Sequence, residues 1–180
     1  MEKKKLNIGC GNDIKEEYVN LDYFSGKGID VVHDLEKFPY PFDNDQFEEI
    51  LMDNVLEHLF NTEKVMEELV RISQDGATIK IMTPHCKSSV AWGDITHKTA
   101  FSADSFKHYE GSAYAESGSK ENERFFLNRK EVRIYLPVIF KLLGFEKYIN
   151  HNDFRRYLYE RYFSGIVIPV SLFFKLEVKK

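Results

Sequence analysis

Two glycines flank a cysteine at Gly9-Cys10-Gly11, directly after the short run Leu6-Asn7-Ile8. Glycines on a turn that follows a strand let a ligand approach the backbone closely. By itself such a pair is equally well an ordinary tight turn. Two acids make it more specific. Asp22 ends the run Tyr18-Val19-Asn20-Leu21, where a carboxylate can accept both hydroxyls of a ribose. Asp34 follows Ile29-Asp30-Val31-Val32, where a carboxylate can accept from an adenine amino group. The backbone N–H of Leu35 could then bond a ring nitrogen. A glycine loop and two acids on three successive run ends suggest a nucleoside site.

The elements that would hold these residues are short and apolar, bounded by turn or acidic residues, as buried strands are. The runs above are the first three. Phe47–Met52 is a fourth, ended by Asp53-Asn54, and Thr78–Met82 a fifth, ended by Thr83-Pro84. Between the last two, Val65, Met66, Leu69, Val70 and Ile72 fall near helical spacing. Thr62 is the expected N-cap and Asp75-Gly76 the stop. Strand, helix and strand read as a parallel crossover in a doubly wound sheet, where ligands sit at the carboxyl ends of the strands. Residues 86–122 are polar and serine-rich, and read as a substrate or lid excursion with one short helix, Ala103–Tyr109, capped by Ser102. Strands are expected at Arg124–Leu127 and Glu131–Tyr135. Helices are expected near Val138–Leu143 and Asp153–Phe163, and a clean alternation predicts a final strand, Leu172–Lys179.

A dinucleotide enzyme is the rival reading. It wants a third glycine opening a full helix and an acid about 20 residues further on. Ile14 stands at the third glycine's place, and Asp22 comes too soon after Gly11. The connection is too short for a normal crossover helix, so at most one helical turn is expected around Ile14–Glu17. Little helix dipole is then left to hold a pyrophosphate, and a ligand without phosphate fits better.

At this point the sequence resembles the class I S-adenosylmethionine-dependent methyltransferases, and more closely a small subgroup with a shortened first crossover. The matching residues are Leu6–Asn12, Tyr18–Asp22, Asp30–Leu35, Pro41–Phe47, Asn54–Leu59, Thr83–His85, Asp94–His97 with Phe101, and Pro169–Lys179. The resemblance implies a single Rossmann-like α/β domain over 1–180, with a mostly parallel seven-stranded sheet and an antiparallel last strand. It implies S-adenosyl-L-methionine as cofactor. Gly9, Cys10 and Gly11 would line the methionine moiety, with Cys10 acting through its backbone. Asp22 would hold the ribose, Tyr23 would flank the adenine, and Asp34 and Leu35 would fix the adenine edge. Asp53, Asn54 and Val55 would lie beside the reactive methyl, with His58 nearby on a helical turn.

Methyl transfer is an in-line displacement in which positioning supplies much of the rate. A base is needed only where the nucleophile must lose a proton. His85, Asp94 and His97 are the catalytic candidates, with Tyr109 a further possible base. Asp94 could orient a histidine. Each has a plainer reading: His58 bonded to a backbone carbonyl, and Asp94 with His97 as a clamp for the excursion. His85, Cys86, Asp94 and His97 match no standard metal spacing, so no metal site is expected.

Composition bounds the rest. Hydrophobic residues at 43% and charged residues at 30% mark a globular chain. A net charge of −4 argues against a nucleic-acid partner. Cys10 and Cys86 provide neither a disulfide framework nor a CxxC pair. No signal-peptide core and no run long enough to span a bilayer is evident, so a cytoplasmic setting is expected. The expected acceptor is a small molecule or glycan-type compound, methylated at O, N or C. Arg155, Arg156 and Arg161 among tyrosines form either a solvated helix face or a surface for an anionic or lipid-linked substrate, with contact to a membrane surface the further alternative. Two other functions compete: a non-catalytic binder of S-adenosylmethionine acting as an assembly partner, and a nicotinamide-dependent reductase.

Overall fold

The computed structural model describes residues 3–110 and 126–180. Seven strands form one sheet: β1 (Lys5–Ile8), β2 (Tyr18–Asp22), β3 (Val31–Val32), β4 (Phe47–Asp53), β5 (Ser73–Pro84), β6 (Phe126–Tyr135) and β7 (Ser171–Lys179). Their order is β3-β2-β1-β4-β5-β7-β6. The first five pair in parallel, and β7 runs antiparallel between β5 and β6. This is the expected α/β sheet. The order reverses between β1 and β4, which opens the crevice where doubly wound sheets bind ligands.

Leu6, Ile8, Ile50, Met52, Ile79 and Ile81 put the central strands in the core with no exposed surface. Helix α1 (Thr62–Ile72) makes the crossover from β4 to β5 and buries Val65, Met66, Leu69, Val70 and Ile72. Its cap falls one residue before the expected Thr62: the Asn61 side chain accepts from the Lys64 N–H at 3.1 Å. The helix ends at Ile72 rather than at Asp75-Gly76. Ser73 already pairs with Phe47, so the ladder ends the helix.

The first crossover is the unusual one. Residues 9–17 form turns and no helix. Side-chain amides take its place. Buried Asn7 donates to the carbonyl of Asp13 at 2.8 Å and to the Asn20 side chain at 3.2 Å. Asn20 accepts from the N–H of Lys15 and returns a bond to its carbonyl, both at 3.0 Å. The Asp30 carboxylate accepts from the Asn20 N–H at 2.8 Å. The turn's polar backbone is thus satisfied from inside the sheet, as buried backbone requires.

The second half departs further from expectation. The two strands expected at Arg124–Leu127 and Glu131–Tyr135 are one strand, β6, with a register shift at Arg129/Glu131; residues 124 and 125 lie outside the described residues. The helix expected at Ala103–Tyr109 is a set of turns ending in a 3-10 turn, Lys107–Tyr109. Ser102 and Ser105 bond each other's neighbourhood instead of capping a helix. A helix does form earlier, α2 (Ser89–Gly93), capped by Ser88. The rest of the excursion, 111–122, lies outside the described residues. Helices α3 (Val138–Leu142), α4 (Phe145–Ile149) and α5 (Asp153–Leu158), then a π turn at Tyr159–Phe163, connect β6 to β7. Asn150 protects edge strand β6, bonding both the N–H and the carbonyl of Ile134 at 2.8 Å. No helix among the described residues is long and apolar enough to cross a membrane.

Replacing Asn20 with Ala strands several of these buried partners. A loss of about 1–3 kcal/mol is expected, read as a lower urea midpoint with unchanged slope.

Candidate functional site

The crevice between β1 and β4 brings the sequence-predicted cofactor residues to one edge of the sheet. Ile8 pairs with Met52, so Gly9 leaves β1 beside Asp53, the last residue of β4. Gly9 has φ +63°, and a Cβ there would lie 2.3 Å from Cγ2 of Val55. Only glycine lets the two walls come this close. A Cβ on Gly11, by contrast, would meet nothing within 4 Å, so its backbone faces open space. Cys10 is buried, and burial together with the nearby Asp22 carboxylate pushes its thiol up. Its backbone ties the loop to β2 through Leu21 at 3.1 Å and closes the turn on Asp13 at 2.7 Å.

Asp22 accepts from the Gly11 N–H at 2.8 Å and from the Phe24 N–H at 3.0 Å. Each carboxylate oxygen keeps a further lone pair. Tyr23 and Phe24 are exposed beside it, with ring centroids 4.9 Å apart in an edge-to-face pair. Asp34 accepts from the Glu36 N–H at 3.1 Å, and Leu35 beside it is buried. On the opposite wall, Asn54 has φ +52° and its amide donates to Asp53 at 2.8 Å.

The catalytic candidates separate into two places. His85 is buried, with its ring occupied on both sides. Nδ1 accepts from the Lys87 N–H at 3.0 Å and Nε2 meets the Glu160 carboxylate at 2.9 Å. Glu160 also accepts from the Ala103 N–H at 2.8 Å, so this pair clamps the excursion to the π turn. Tyr109 is buried, and burial pushes its hydroxyl up to about 12, so it keeps its proton near neutrality.

Asp94 and His97 instead join His58. Thr96 donates its hydroxyl to Asp94 at 2.6 Å, and the same oxygen lies 2.9 Å from Nδ1 of His58. The hydroxyl proton is committed to the carboxylate, so His58 Nδ1 is the donor in the second bond. His97 Nδ1 lies 3.0 Å from the carbonyl of Ala91 and must donate to it. In the neutral tautomer that these bonds select, the lone pair of each ring is on Nε2. Their ring centroids are 4.7 Å apart. Asp94 thus orients His58 through Thr96, while its own carboxylate stands 4.0 Å from His97.

A residue given no role from the sequence completes the group. Glu57, on the 3-10 turn Leu56–His58, is 1% exposed. Neither of its carboxylate oxygens has a hydrogen-bond partner. Its backbone carbonyl accepts from the N–H groups of Lys98 and Thr99 at 2.6 and 3.1 Å, which pins the His97 loop over the turn. Burial raises the Glu57 carboxyl to about 7, against the nearby dipole of its own backbone N–H and His97, with Asp53 and Asp94 adding to the rise. The only hint in the sequence was its place in Asn54–Leu59, between two residues already of interest.

No protein-family model matches the sequence, and no curated protein matches it. Solved structures do match. An S-adenosylmethionine-dependent methyltransferase from Archaeoglobus fulgidus superposes with a TM-score of 0.59 at 16% identity, over 96% of this chain and 85% of the other. A putative methyltransferase from Bacillus halodurans gives 0.56 at 12% identity, over 100% and 95%. A methyltransferase from Mesorhizobium loti, also S-adenosylmethionine-dependent, gives 0.55 at 11%, over 98% and 93%. The chain therefore has the Rossmann-like fold of the class I S-adenosylmethionine methyltransferases.

The Glu57 carboxyl makes stability depend on pH. Below about pH 4.5 it is protonated in both the folded and unfolded chains. As pH rises from there to about 7 the unfolded chain ionises first, so folding stability falls by roughly 3 kcal/mol and then levels. Urea titrations in EDTA should show this decline in the native protein, and Glu57→Gln should flatten it.

Proposed function

We propose that the protein binds S-adenosyl-L-methionine and transfers its methyl group to O, N or C of a small-molecule or glycan-type acceptor. The observation that carries this reading is the open backbone of Gly11, bonded to Asp22, at the switch point of a methyltransferase-type sheet. The residues present suit the cofactor. Asp22 retains lone pairs for two ribose hydroxyls, Tyr23 offers a ring face, and Asp34 with Leu35 borders the adenine end. The backbone of Gly9, Cys10 and Gly11 would border the methionine end.

When bound, S-adenosylmethionine supplies an electrophilic methyl on a sulfonium whose departure leaves a neutral thioether. The chain's own part is to place the acceptor against it. Asp53, Asn54 and Val55 form the wall beside the methyl. His97 and Asp94, with His58, form the polar wall of the acceptor side. The unprotonated Nε2 of His97 is suited to accept a proton where the acceptor must lose one. His85 acts at a remove, holding the excursion through Glu160. The excursion at 86–122 would then form the acceptor's lid.

A nicotinamide dinucleotide is disfavoured, because the turn from Gly9 to Glu17 presents no helix N-terminus to a pyrophosphate. Calorimetry with S-adenosylhomocysteine is the test. Saturable binding is expected, weakened at least about a hundredfold by Asp22→Ala as two charge-assisted bonds of about 1.5–3 kcal/mol each are lost. No binding at millimolar ligand would end the proposal, and unchanged affinity in the variant would remove the ribose assignment.

A further inference from the structure

Glu57, His58 and His97 each offer a ligand atom, and the three atoms lie within 4.8 Å of one another. We propose that they form a binding site for a divalent first-row transition ion, of which zinc is the reference case, open on one side to water or an acceptor oxygen.

Three independent features point the same way. The first is the ligand set. Two imidazoles and a carboxylate make a three-ligand site of the type that leaves a coordination position open. Glu57 is buried and the two histidines are half-buried, so the group is closed from behind and reachable in front.

The second is the state of the donors. Ligating histidines donate the other ring N–H to a carbonyl or carboxylate, which fixes the tautomer. His97 Nδ1 is held by the Ala91 carbonyl, and His58 Nδ1 by Thr96, itself anchored on Asp94. Both free lone pairs are therefore on Nε2.

The third is Glu57 itself. An acid 1% exposed, with both oxygens unpartnered, is costly unless something neutralises it. A cation would do so, and Asp53 and Asp94 add negative potential around it. Zinc ligands stand about 2.0–2.2 Å from the ion, so a tetrahedral site needs ligand atoms roughly 3.4 Å apart. Closing from 4.8 Å is within reach of side-chain rotation.

The ligation stands on these side chains alone; its consequence for the acceptor rests on the methyl-transfer reading. Val55 touches the Gly9 loop and Glu57 lies two residues further on, so an ion here would border the same crevice. It would take the His97 lone pair that otherwise serves as base, and would itself polarise an acceptor oxygen. The acceptor class this favours is one carrying a hydroxyl or carboxylate able to reach a metal.

The test is calorimetry of chelator-stripped protein with zinc chloride and, in parallel, cobalt chloride, whose visible spectrum reports its coordination. One ion per chain is expected at micromolar affinity or tighter near about pH 7.5, weakening as the pH falls and the histidines protonate. His58→Ala and His97→Ala should each weaken binding at least about tenfold, and Thr96→Val about tenfold through the loss of His58 orientation. Circular dichroism checks that each variant folds, and Thr96→Val, outside the ligand set, covers the case in which a histidine variant does not. No saturable binding by the native protein, or equal binding by all folded variants, overturns the site. S-adenosylhomocysteine affinity measured on the same samples reports separately on the methyltransferase reading.

Discussion

The hydrogen bonds made by the Asn7 and Asn20 side chains are the constraint on which the glycine-loop side of the crevice depends. A parallel pair of strands normally needs a helix to return the chain. Here β2 follows β1 after a turn, and the polar backbone of that turn is satisfied by two amides reaching out of adjacent strands. The arrangement succeeds because an Asn side chain carries both a donor and an acceptor, and Asn20 uses both on one residue, Lys15. It brings Asp22 within 2.8 Å of the Gly11 N–H. A full crossover helix would have put a helix N-terminus where this structure keeps open backbone.

The opposite wall obeys a different constraint. Gly9 must be glycine because Val55 occupies the space of a side chain. Val55 belongs to the stretch that leaves β4 and turns at once into the 3-10 turn carrying Glu57 and His58. One short segment therefore sets the separation of the loop from the opposing strand end and positions the acidic and imidazole groups. The His97 loop is then held to that segment by backbone bonds to the Glu57 carbonyl. Few degrees of freedom are left between the glycine loop and the polar cluster.

Much of this was legible in the sequence, and what was missed has a physical reason. Short apolar runs ended by acids or glycine announce buried parallel strands, because both faces of such strands are covered. The glycine loop and the early Asp22 are likewise local features. Asn20 was not legible: a polar residue within a strand reads as a weakness until its partners are known. Glu57 was hidden for the same reason, since an acid beside a histidine looks like a surface turn. The separation of His85 from His97 was also invisible. It depends on Glu160, 75 residues away along the chain, which ties His85 to the π turn. The single strand β6 looks like two in the sequence because its register shift interrupts the alternation.

The two histidine groups show how identical side chains acquire different capacities. At His85 a backbone N–H takes Nδ1 and a carboxylate takes Nε2, so no lone pair remains. At His58 and His97 the hydrogen-bond partners among the described residues are acceptors at Nδ1, a hydroxyl oxygen and a carbonyl, so Nε2 makes no hydrogen bond on either, and on His97 it stands 4.0 Å from the Asp94 carboxylate. Geometry at one ring nitrogen thus decides the chemistry at the other. The glycine loop has a parallel dependence. Its shape comes from what surrounds it, the amide-braced turn behind and Val55 across the crevice, rather than from the two glycines alone.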